Sequence, residues 1–114
     1  MAGLLVQVFL AGLGVFEGPA RFVTHREFGY ALSFVALVLL ALAAIGRLGR
    51  RQVGLAALIF VLFVLQSVFV QAFRGTPTIA ALHPVNGFLI LLLAIVVARS
   101  SWTSRADNPA AAAA

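Results

Sequence analysis

The sequence predicts an all-α protein: a four-helix transmembrane bundle, up-down-up-down, built from two repeated helical hairpins. Three observations predict it. Of the 114 residues, 63% are hydrophobic and 10% charged, with a mean hydropathy of +1.12, whereas a soluble domain carries about a quarter charged residues to face water. The apolar residues fall into four separate runs. Proline, histidine, glycine and an aromatic residue also recur in register in the two halves of the chain.

The first run extends from Ala2 to Phe16 and is broken only by Gln7. It is shorter than the roughly 20 residues needed to cross the hydrocarbon core. It lacks the positively charged start of a signal peptide, and Glu17-Gly18-Pro19 is a poor cleavage site, so a retained helix is expected. The second run is expected from about Phe28 to Ile45, introduced by Thr24-His25-Arg26-Glu27, which reads as a capping box with Thr24 as N-cap and Glu27 at the third helical position. The third extends from Val53 to Phe73, and the fourth from Val85 to Ala98 after His83-Pro84, where proline suits a first helical residue. Within lipid each backbone amide must be satisfied inside its own segment, which selects helices. The polar–apolar alternation of a membrane barrel is absent. Residues 1–99 are therefore read as the transmembrane domain and 100–114, ending in alanines, as a disordered cytoplasmic tail.

All eight basic residues are arginines; with three acidic residues the net charge is +5. They are scattered among apolar runs rather than gathered in a patch, so no nucleic-acid partner is expected. With four spans, Arg47, Arg50, Arg51, Arg99 and Arg105 share one side, and Arg21, Arg26 and Arg74 lie on the other with Glu17 and Glu27. The positive-inside rule then puts both termini in the cytoplasm. The chain has no cysteine, which excludes disulfides and thiolate–metal sites.

Pro19, His25, Gly29 and Tyr30 recur as Pro77, His83, Gly87 and Phe88, each at an offset of 58. A fixed offset marks a duplicated unit, here a helical hairpin. His25 and His83 are the chain's two histidines, and the repeat sets them at matching depth at the outer ends of the second and fourth helices. Those helices are diagonal neighbours, with axes about 14 Å apart given 8–10 Å between adjacent helices. Such a gap suits a flat cofactor between two imidazoles, and a haem with one histidine above and one below is the expected ligand. Gly29 and Gly87, one turn deeper on the same faces, would let a porphyrin approach the backbone. Arg21, Arg26 and Arg74 could pair with its propionates. The competing reading is that each histidine is an interfacial or capping residue without a metal.

Other polar residues have alternative readings of the same kind. Gln66, Ser67 and Gln71 suit interhelical hydrogen bonds, or donors to a ligand histidine or a quinone. Asn86 suits an orienting bond to His83 or a bond within its own helical turn. Glu17 suits an ion pair with Arg21 four residues on.

Over residues 1–99, on His25 with Arg26 beside it and on His83, the chain resembles one half of the heme A synthase family, a single four-helix bundle with histidines at the outer ends of its second and fourth helices. It also resembles small bacterial four-helix membrane proteins carrying a segment like Ala81-Leu82-His83-Pro84-Val85-Asn86-Gly87. In heme A synthase a catalytic glutamate precedes the histidine–arginine pair; here Glu27 follows it, and there is one bundle. The resemblance implies a haem b site in a bacterial inner membrane, not oxidation of a haem methyl group.

The expected function is bis-histidine haem binding for electron transfer or haem handling, with a carrier's role rather than a catalyst's, and with a quinone or redox protein as partner. A homo-oligomer is compatible with it. Two alternatives stay open: a small transporter, against which stands the lack of an acidic residue within any helix interior, and a cofactor-free accessory subunit. No phosphate loop, nucleophile elbow or HExxH is present.

Overall fold

The computed structural model describes residues 1–73 and 75–106. They form four long helices and two short turns: α1 (Ala2–Phe16), a 3-10 turn (Pro19–Arg21), α2 (Phe22–Ile45), α3 (Arg50–Gln71), a single-turn α4 (Pro77–Ala80) and α5 (Leu82–Ala106). No strand occurs among the described residues. The chain is the expected all-α bundle of two hairpins. α2, α3 and α5 are long and apolar enough to cross a membrane, whereas α1, at 15 residues, is apolar but short. At 1.5 Å per residue α1 covers about 22 Å, against a hydrocarbon thickness of about 30 Å.

Helix starts differ from those expected. The Thr24–Glu27 capping box does not form: α2 begins at Phe22, with Arg21 as N-cap and no side-chain cap. Pro19 supplies the reason. Its fixed φ opens a helical turn that runs directly into α2, so Thr24 already lies inside the helix. Gly18, with φ 122°, makes the sharp entry into that turn, a conformation that favours glycine. Pro77 opens α4 in the same way before α5, so the repeat extends to the turn leading each histidine helix. Pro84 is the third residue of α5, still within the first turn, where a missing N–H breaks no helical bond. α5 continues to Ala106, past the point at which the tail was expected to begin; Asp107 to Ala114 lie outside the described residues.

Packing follows chain order: α1 on α2, α2 on α3, α3 on α5. No comparable interface joins α1 to α5, so the bundle is open along that side. The buried residues are few and mostly small: Gly14, Ala36, Ala43, Ile90 and Asn86. Large apolar side chains such as Phe9, Phe34, Leu42 and Phe88 face outward. In water that surface would be untenable. In lipid it is the expected one, because helices there associate by close packing of small residues rather than by expelling apolar groups. Gly14 shows this directly: a Cβ there would lie 2.6 Å from the Phe22 ring.

Candidate functional site

Chain direction alternates, so the start of α2 and the start of α5 meet at one end of the bundle. There the rings of His25 and His83 approach with centroids 5.9 Å apart and planes at 70°. The structure thus brings together the two histidines singled out by the repeat. Both are half-buried. Phe22 packs edge-on against His25, with ring centroids 6.1 Å apart.

Each imidazole is held by the helix before it. His25 Nδ1 is 3.1 Å from the Gln7 backbone oxygen on α1, and His83 Nδ1 is 3.1 Å from the Gln66 backbone oxygen on α3. A carbonyl oxygen only accepts, so both Nδ1 atoms carry the proton and both Nε2 atoms keep a lone pair. That is the tautomer a metal-ligating histidine takes when its other nitrogen is fixed by a backbone carbonyl.

The glutamines do more than present carbonyls. Gln7 Nε2 donates to the His25 backbone oxygen at 2.9 Å, and it lies 3.5 Å from His25 Nε2, at the limit of a hydrogen bond. Gln66 Oε1 accepts from Asn86 Nδ2 at 2.7 Å, and the same Nδ2 reaches the Leu62 carbonyl at 2.8 Å. Asn86 therefore crosses to α3 rather than bonding within its own turn. Gly29 and Gly87 make room for these amides. A Cβ at Gly29 would lie 2.9 Å from Gln7 Nε2, and one at Gly87 would lie 3.3 Å from Gln66 Nε2. The close approach expected of a porphyrin at the two glycines is made here by glutamine side chains.

Gln7 was visible in the sequence only as the polar interruption of an apolar run. Its signal was its match to Gln66, a glutamine inside the apolar run of the first helix of the second hairpin. The offset is 59 rather than 58, which a search at one fixed offset passes over.

The arginines of this end are engaged elsewhere. Arg21 pairs with Glu17 at 2.8 Å and Arg26 with Glu27 at 2.9 Å, all four exposed. Glu27 thus faces Arg26 and solvent rather than the histidines. Arg74 lies outside the described residues. Among the described residues no group of three or more histidine or acidic side chains could hold a metal ion.

A second feature lies between α2 and α3. Tyr30, Ser33, Ser67 and Gln71, with Phe63 and Val68, line an open groove of about 380 Å³ between α2 and α3. Gln71 Nε2 donates to the Tyr30 hydroxyl at 3.0 Å, the interhelical bond expected of α3's polar residues. Ser33 Oγ bonds back to the Gly29 carbonyl at 2.9 Å.

No curated protein and no solved structure matches the chain. One family model does, over residues 7–74, a span that starts at Gln7, takes in His25, Gly29 and Gln66, and stops before His83. The chain belongs to the family of unknown function DUF6220.

Proposed function

We propose that the protein is a membrane b-type haem protein in which His25 and His83 are the two axial ligands. The observation that supports this reading is the matched anchoring of the two rings at 3.1 Å, with centroids 5.9 Å apart and both Nε2 atoms unprotonated; the Gln7 amide, 3.5 Å from His25 Nε2, would give up that lone pair to a metal. The donor set also suits a macrocycle better than a bare ion. Among the described residues no third histidine or carboxylate stands with the two imidazoles, so a bare ion would draw most of its ligands from water or backbone, whereas a porphyrin would bring its own nitrogens.

Held by His25 and His83, a haem would supply reversible one-electron transfer. The chain's residues do the rest. Gln7 and Gln66 fix ring orientation through their carbonyls. Among the described residues α1 and α5 share no interface comparable to the others, and a planar group would enter from that side. Arg21 and Arg26 stand at the same rim for carboxylates, each able to exchange its glutamate for a propionate. The expectations of a bacterial inner membrane, with both termini and the Arg47–Arg51 turn cytoplasmic, belong to this reading. So does a quinone as electron partner, for which the Tyr30–Gln71 pair offers a donor beside apolar walls.

The test is spectroscopic. Protein purified in detergent after haem-supplemented expression should show a low-spin b-type spectrum that sharpens on reduction, lost in His25→Ala and in His83→Ala. A folded, colourless wild-type protein would overturn the proposal.

A further inference from the structure

The two halves agree at the histidines, glycines and glutamines but differ at one buried position. Asn86, three residues after His83, is 5% exposed and donates to both Gln66 Oε1 and the Leu62 carbonyl. The repeat puts Phe28 at the matching place, three residues after His25. Phe28 also faces its preceding helix, its ring tip 3.9 Å from where a Cβ on Gly3 would stand. Gly3 and Gln7 on α1 correspond to Leu62 and Gln66 on α3, each at an offset of 59. A phenyl ring has no donor for either acceptor. Correspondingly, Gln7 Oε1 is buried without a hydrogen-bond partner, whereas Gln66 Oε1 is satisfied.

Resting on the haem reading above, we propose that Asn86 is a positioning residue that makes His83 the anchored ligand, and that Phe28 in its place leaves His25 the exchangeable one. In the second half, α3 and α5 are tied by three hydrogen bonds within one helical turn: His83 to the Gln66 carbonyl, and Asn86 to Gln66 Oε1 and to Leu62. Moving His83 would strand the buried Asn86 amide along with the ring. In the first half all the bonds to His25 come from one residue, Gln7, through its carbonyl to Nδ1 and its amide to the His25 carbonyl and, at 3.5 Å, Nε2, while Gln7 Oε1 stays buried and unmet. Displacing Gln7 and His25 together frees that acceptor to find a donor, so release opposes less. The position His25 vacates would take a small neutral ligand, for which carbon monoxide on the reduced protein and free imidazole on the oxidised protein are the probes.

The test needs no haem for its first arm. In ¹⁵N-histidine-labelled protein in detergent, the His83 Nδ1–H should exchange with water at least tenfold more slowly than the His25 Nδ1–H, the kind of local difference hydrogen exchange resolves. Asn86→Leu should remove that difference by speeding His83 exchange, and Phe28→Asn should slow His25 exchange. In haem-loaded protein, Phe28→Asn should weaken imidazole and carbon monoxide binding about fivefold or more. Equal exchange at the two histidines in wild type, or a folded Phe28→Asn protein with His25 exchange unchanged, would overturn the proposal. Protein that takes up no haem but shows the predicted exchange pattern would retain Asn86 as the anchor of His83 and would refute only the haem reading.

Discussion

Gln7 and His25 hold each other twice: the His25 ring nitrogen donates to the Gln7 carbonyl at 3.1 Å, and the Gln7 amide donates to the His25 carbonyl at 2.9 Å. This reciprocal clasp joins the short helix α1 to α2 at the depth of the paired histidines. It ties α1 to the bundle by polar contacts that its hydropathy does not predict.

The clasp depends on Gly29. Alanine there would put a Cβ 2.9 Å from Gln7 Nε2, closer than real contacts allow, whereas alanine at Gly87 would stand 3.3 Å from Gln66 Nε2. Alanine gains about 1 kcal/mol of helix propensity at either site. Overpacking costs about 1–3 kcal/mol, and a lost hydrogen bond about 0.5–1.5 kcal/mol. Gly29→Ala should therefore destabilise by about 1–2 kcal/mol, and Gly87→Ala should stay within about 0.5 kcal/mol of wild type. Denaturant unfolding in mild detergent, followed by circular dichroism, measures both.

Gln7→Leu and Gln66→Leu should differ in the opposite sense from their similar placement. The first removes one hydrogen bond but also a buried acceptor that has no partner. The second removes an acceptor that Asn86 uses. Leaving a buried polar group unpaired costs about 1–3 kcal/mol. Gln66→Leu should cost about 1–2 kcal/mol and Gln7→Leu close to nothing by the same unfolding measurement. Both should retain the bonds from histidine to backbone carbonyl.

Gly12 and Gly14 provide an internal control within one helix. A Cβ at Gly14 would collide with the Phe22 ring at 2.6 Å, while one at Gly12 meets nothing within 4 Å. An aromatic ring wedged between α1 and His25 cannot retreat as a chain end can. Gly14→Ala should destabilise by about 2 kcal/mol or more, and Gly12→Ala should be neutral or stabilising by up to about 1 kcal/mol. Parallel melts of the two variants check the ranking.

The Glu17–Arg21 pair is close, at 2.8 Å, but exposed. Exposed pairs four residues apart contribute about 0.3–0.5 kcal/mol and are screened by salt. Glu17→Gln should move the melting temperature by no more than a degree or two at low salt and not at all at 1 M salt. A larger, salt-independent loss would assign Glu17 a role other than this pair.

The sequence by itself determined the class of the protein and the end of the bundle at which its two histidines meet. Charge depletion and four apolar runs allow only a helical membrane bundle, because lipid leaves backbone amides no other way to be satisfied. The repeat of Pro19, His25 and Gly29 in Pro77, His83 and Gly87 also placed two histidines at one end, since helix direction alternates along a chain with short connections. Tertiary structure alone decided what surrounds them. Capping at Thr24 was a local pattern, and the turn opened by Pro19 overrode it. The two glycines were legible as gaps, but not that Gln7 and Gln66 fill them, since that depends on the rotation of α1 and α3 about their own axes. Packing sets that rotation, and hydropathy does not encode it. The unequal fates of Gln7 Oε1 and Gln66 Oε1 follow from one residue, Phe28 opposite Asn86 in the repeat, and emerge only when the facing helix supplies or lacks the donor.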